Sequence, residues 1–138
     1  MRRPIMKNEA FLRRASEPAT QDDLPVGDDL RDTLEAHAHE CVGMAANMIG
    51  VSRRVIVFAD ELIGRNMVMF NPEIVDKAEP YAASEGCLSL TGERNTTRYR
   101  RITVTYRDRR WRERTARFED FTAQIIQHEV DHCNGVII

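Results

Sequence analysis

The residues best suited to chemistry stand together near position 130. His128-Glu129-Val130-Asp131-His132 is an H-E-x-x-H pattern. On a helix, side chains four apart share a face, so two imidazoles are offered to one cation. Glu129 is near enough in sequence to manage the proton of a water at that cation. The same five positions also describe two hydrogen-bonded surface histidines beside an unrelated glutamate. A catalytic tetrahedral site needs a third protein ligand and an open position. Cys87, in Glu85-Gly86-Cys87-Leu88-Ser89, is the leading candidate, because Gly86 permits close backbone approach and a thiolate is a soft ligand. The alternative for Cys87 is a small buried hydrophobe. Cys133 projects about 100° around the helix from His132 and cannot simply replace Cys87. His37 and His39 are two apart, do not face each other on a helix, and read as surface residues. Met44, Met48, Met67 and Met69 read as packing residues, since no spacing favours a thioether ligand set.

These groups need elements to position them. In FEDFTAQIIQHEVDHC, residues Phe118, Phe121, Ile125, His128 and His132 recur at spacings of three and four, which predicts a helix whose apolar stripe runs into the two imidazoles. A second helix is expected over DDLRDTLEAHAHECV, started by Asp28 or Asp29, after a loop marked by Pro18, Pro25 and Gly27. RRVIVFAD and Met67–Phe70 read as short strands, with MAANMI before them as a last turn or tight loop. The stretch EIVDKAEPYAASEGCLSL, interrupted by Pro80 and Gly86, reads as broken loop. YRRITVTYRD alternates with a period of two and turns back at Asp108-Arg109 into RRWRERTARF, an antiparallel hairpin. The expected fold class is α+β: a single compact domain, residues 1–138, with small antiparallel or mixed sheets packed around a C-terminal metal-binding helix.

Composition narrows the setting. At 138 residues the chain has the size of one domain and folds without needing disulfides. Lys+Arg of 20 against Asp+Glu of 22 gives a net charge of -2, which argues against DNA or a membrane surface as partner. Three dispersed cysteines fit no secreted disulfide framework, and no run approaches the roughly 18 apolar residues of a membrane span. A cytoplasmic protein is expected, as a monomer or small homo-oligomer. Between Arg94 and Arg117 ten arginines face only two acids, either a solvated hairpin paired with neighbouring acids or a basic face for a polyanion such as ribosomal RNA.

Three separated segments resemble the peptide deformylase family in order and spacing: Cys41-Val42-Gly43-Met44-Ala45-Ala46-Asn47-Met48, Glu85-Gly86-Cys87-Leu88-Ser89 and Gln127-His128-Glu129-Val130-Asp131-His132. The resemblance implies removal of the formyl group from N-formylmethionyl peptides, releasing formate. It implies one divalent cation, Fe2+ in this family, with Zn2+, Ni2+ or Co2+ also compatible with the ligands Cys87, His128 and His132. Glu129 is then general base and acid, and the Leu88 N–H helps hold the oxyanion. Val42, Gly43, Phe121 and Ile125 are assigned to the methionine pocket. The implied partner is a formylated peptide amino terminus, with ribosome association as a further one. By the resemblance, the expected domain is a core without the extra C-terminal helix that longer family members carry and that is linked in the family to the ribosome. The first segment departs from the family's G-x-G-L-A-A-x-Q: Cys41 replaces a glycine and Met48 the glutamine. A thioether donates no hydrogen bond, and losing such a donor costs about 3 to 4 kcal/mol, or two to three decades in rate. Alternative readings are a hydrolase of another N-acyl or amide substrate, or a weakly active or non-catalytic peptide-binding relative. Cys41 is read as a helix-end packing residue, or as a thiol near the cleft that adds a ligand or redox sensitivity.

Overall fold

Val55-Ile56-Val57-Phe58 is an unbroken apolar run, as a strand covered on both faces requires. In the computed structural model of the chain, which describes residues 1–60 and 62–138, this run forms β2 (Val55–Asp60). It lies between β1 (Gly43–Ala45) and β3 (Arg65–Cys87), and β4 (Leu90–Arg107) and β5 (Glu113–Glu119) complete a five-stranded antiparallel sheet in the order β1-β2-β3-β4-β5. Strand side chains alternate. Ile56 and Phe58 therefore join the core under α3 (Asp120–Cys133), with Met69, Ile102, Val104, Ile126 and Val130. Val55 and Val57 join Leu30 and Leu34 of α2 (Leu24–Ala36) on the opposite face, with Met44, Val68 and Phe70. A short α1 (Glu9–Leu12) and a 3-10 turn at Ala46–Ile49 complete the elements that matter to the site. The architecture is α+β, with the H-E-x-x-H residues on the last helix.

Four expectations need correction. The helix expected to begin at Asp28 or Asp29 begins at Leu24 and ends at Ala36, before Cys41. A capping box between Thr20 and Asp23 shapes the 3-10 turn that leads into it, and Pro25, whose missing N–H costs nothing there, sits in its first turn. Gly27 is helical, not loop: a Cβ on it would lie 2.6 Å from Phe70 Cζ, so the glycine lets α2 approach the sheet. Phe118 is on β5 and not on the helical stripe, where its ring packs edge-on against Phe58 at 5.8 Å.

The largest difference is β3. The stretch from Glu73 to Cys87 that reads as broken loop is paired along its length with β4, including Pro80 opposite Tyr99. Its prolines are accommodated where the register shifts between Phe70 and Glu73 and where Glu79 takes a φ of 64°. Local composition argued for loop, but the pairing runs from Cys87 with Leu90 at the tip to Glu73 with Thr105 at the far end, and most of it is not local. The hairpin of β4 and β5 forms as expected. Its arginines are largely tied to acids: Arg101 to Glu79, Arg109 to Asp28, and Arg112 and Arg114 to Asp108. That is the solvated-hairpin reading.

Candidate metal centre

The final helix is fixed in rotation by one side chain. Gln127 Oε1 accepts from Tyr99 N, and its Nε2 donates to Tyr99 O, both at 2.8 Å, so α3 is stapled to the β4 backbone. With that face set, His128 and His132 point at each other from adjacent turns, their Nε2 atoms 3.0 Å apart. Among the described residues, His128, Glu129 and His132 form a group whose candidate ligand atoms all lie within 4.8 Å of one another, and all three are buried.

A network from the sheet holds this group. His128 Nδ1 is 2.8 Å from Glu85 Oε1 on β3. A carboxylate only accepts, so the proton is on Nδ1 and the Nε2 lone pair faces the cavity. Glu85 also receives Arg98 Nε at 3.0 Å, Arg98 Nη2 at 2.7 Å and Gln124 Nε2 at 2.8 Å, while Arg98 Nη1 donates to Asp131 at 2.6 Å. Burial opposes the Glu85 charge, but the bonds from His128 and Arg98 outweigh it and hold its carboxyl well below the usual range. Burial alone would lower the His128 imidazole; the Glu85 bond raises it instead. His132 has no such partner, and burial pushes it down to about 3. Complete burial pushes the Glu129 carboxyl up to about 7.

Two buried atoms here lack partners, Glu129 Oε1 and His132 Nδ1. A buried acceptor left unpaired beside two convergent imidazole nitrogens is what a site for a cation and its water requires. The donor set therefore fits a divalent cation.

A cavity of about 580 Å³ opens onto these groups. It is lined by His128, Glu129 and Cys87, by Leu88, and by all four residues assigned to the methionine pocket: Val42, Gly43, Phe121 and Ile125. Phe121 and Val42 are half-exposed at its rim, and Ile125 is buried. Gly43 is needed as glycine, since a Cβ there would lie 2.7 Å from Ile125 Cγ2 and 2.8 Å from Glu129 Oε2. His132 is buried behind His128 and is not part of the cavity wall. Cys87 shares the cavity but is not in the close group of three, and burial pushes its thiol up. Cys41 also lines the cavity, with burial pushing its thiol up to about 11. Cys133 is buried in the core. His37 pairs with Glu40, and His39 is exposed.

Met48 lines the cavity and is 1% exposed, whereas the adjacent Asn47 is not part of the cavity wall and donates its Nδ2 to His132 O at 2.9 Å. The supporting roles of Glu85, Arg98 and Gln124 were not read from the sequence. Glu85 stood in a quoted motif, but nothing local shows that an arginine 13 positions on and a helix 43 positions on meet it.

A family model described as "Polypeptide deformylase" matches residues 3–138. The chain is 52% identical over 139 residues to a protein of Clostridium beijerinckii named "Peptide deformylase", covering 100% of both. It resembles a crystal structure of class I type b peptide deformylase from Acinetobacter baumannii with a TM-score of 0.87 and 30% identity, covering 99% of this chain and 96% of that one. A Met-Ala-Ser-bound structure of the same enzyme gives 0.86 and 29%, covering 99% and 97%.

Proposed function

The chain belongs to the peptide deformylase family, and we propose that it removes the formyl group from N-formylmethionyl peptides through a cation held by Cys87, His128 and His132. It is a metal-dependent hydrolase. The observation that carries the reading is the buried group of His128, Glu129 and His132 opening onto a cavity of peptide-end size. The Acinetobacter relative has been crystallised with the tripeptide Met-Ala-Ser, a deformylated peptide end of the kind this reaction leaves.

When bound, the cation supplies Lewis-acid activation of water and of the formyl oxygen. The rest is done by the chain. Glu129 takes the proton of the attacking water at its buried carboxylate and returns it to the leaving amine; a carboxyl pushed up to about 7 is poised for both transfers. The Leu88 N–H holds charge developing on the formyl oxygen. Val42, Phe121 and Ile125 give the methionine side chain an apolar wall, and Gly43 leaves room for Glu129. Residues 1–138 act as one catalytic domain. Fe2+ is the proposed resident cation on the family resemblance, and one thiolate with two imidazoles also suits Zn2+, Ni2+ or Co2+. The proposed setting is the cytoplasm, supported by three free cysteines and by the finding that no helix among the described residues is long and apolar enough to cross a membrane.

The test is formate release from a formyl-Met tripeptide by protein loaded with Fe2+ without oxygen, beside the acetyl-Met tripeptide. Formate from the first and no acetate from the second is the expected result. Acetate release at an equal rate would favour a broader N-acyl hydrolase.

A further inference from the structure

The proposed methionine pocket is not apolar all round. On α3, Gln124 stands three positions after Phe121 and four before His128, so it shares their face of the helix. It is half-buried and is part of the cavity wall beside Ile125.

Its amide is fixed from both ends. Nε2 donates to Glu85 Oε2 at 2.8 Å, and Tyr81 donates its hydroxyl to Oε1 at 3.0 Å. A carboxylate only accepts, so the nitrogen faces Glu85 and the oxygen faces Tyr81. An amide nitrogen carries two N–H groups, and Glu85 takes one of them. The second has no partner among the described residues. A wall otherwise made by Val42, Phe121 and Ile125 thus includes an amide that is already ordered and still has a donor to give.

Methionine makes poor use of that donor, because a thioether sulfur is a weak acceptor. Oxidation turns the same side chain into a sulfoxide, which is polar and carries an oxygen that accepts well. A wholly apolar pocket would reject this group, since its oxygen would be buried without a partner.

We propose that Gln124 is a specificity-determining residue that lets the pocket take N-formylmethionine sulfoxide ends as well as N-formylmethionyl ones, its second N–H donating to the sulfoxide oxygen. The inference rests on the deformylase reading and widens its substrate class to oxidised peptide ends.

The experiment measures formate release from two tripeptides, formyl-Met-Ala-Ser and the same peptide with methionine sulfoxide, by Fe2+-loaded wild type and Gln124→Met without oxygen. Both substrates are assayed on one preparation, so any loss of metal or of fold caused by breaking the Glu85 bond cancels in the ratio of the two kcat/KM values. Wild type is expected to release formate from both. Gln124→Met is expected to lower the sulfoxide-to-methionine ratio about three- to tenfold, the worth of one hydrogen bond between neutral groups. Should the variant not turn over, competitive binding of the two deformylated tripeptides reads the same ratio. An unchanged ratio in either assay overturns the proposal, and so does a wild type that releases formate from the methionine peptide alone. A wild type that releases formate from neither peptide refutes the deformylase reading itself, a separate failure.

Discussion

Glu85 Oε1 stands 2.8 Å from His128 Nδ1, and the same carboxylate is clasped by the Nε and Nη2 of Arg98. The imidazole on α3 is thus held by a group on β3 that is itself held by a buried guanidinium. The orientation of His128, a proposed ligand, depends on residues outside the His128, Glu129 and His132 group.

Glu85→Gln is therefore expected to weaken metal binding about 10- to 100-fold, because the amide is a poorer acceptor for His128 and for Arg98. Glu85→Ala removes one of the two carboxylates that neutralise a buried arginine, and is expected to cost about 3 kcal/mol or more of stability as well. Chelator competition and thermal unfolding separate the two effects. Wild-type metal affinity in Glu85→Gln would remove this carboxylate from the metal site.

Gly43→Ala places a methyl 2.8 Å from Glu129 Oε2 and 2.7 Å from Ile125 Cγ2. Both contacts are side-chain ends, and the methyl is accommodated by displacing the Glu129 carboxylate or the Ile125 methyl. Formate release is expected to fall by about two decades, in line with the cost of a displaced catalytic group. Metal content should stay near that of wild type. Measuring both on one preparation distinguishes a displaced Glu129 from a collapsed site.

Met48→Gln restores an amide donor at a position that lines the cavity. The expected gain in kcat is about one to two decades, less than the full worth of a preorganised oxyanion donor, because burying the amide has its own cost. Steady-state formate release from a formyl-Met tripeptide checks it. An unchanged kcat would mean that the missing donor does not limit turnover.

The fold around these positions was partly legible in the sequence. The final helix carried its period and its chemistry together, and the unbroken Val55–Phe58 run marked a strand covered on both faces. The stretch from Glu73 to Cys87 was not legible as strand, because its prolines and glycine describe a loop and only pairing with β4, as far on as Thr105, makes it a ladder. The same distance hid the Glu85–Arg98–Asp131 connection. The cavity residues from Val42 to Ile125 came from the family resemblance, and they line one cavity because β1 lies under α3.

Asp108 predicts acid sensitivity away from the site. Its carboxylate accepts the backbone N–H groups of Arg110 and Arg112 and the Nε of Arg114, organising the turn between β4 and β5. Burial opposes its charge, but the Arg112 backbone and Arg114 bonds outweigh it and hold the carboxyl below its ordinary value of 3.8. A carboxyl lower in the folded than in the unfolded chain contributes stability that is present above the unfolded value and lost as pH falls through the folded one. Asp108→Asn is expected to lower Tm at neutral pH, with the gap from wild type narrowing below pH 3.8. Thermal unfolding across that range checks it, and a gap independent of pH would assign the effect to geometry alone.

If Glu129 moves the proton while the histidines hold the cation, the two roles separate in Glu129→Gln when formate release and bound metal are measured together. The amide preserves shape but cannot accept the proton, so the variant is expected to keep its metal and lose about 10²- to 10⁴-fold in formate release. Formate release at the wild-type rate from the metal-loaded variant would contradict the account.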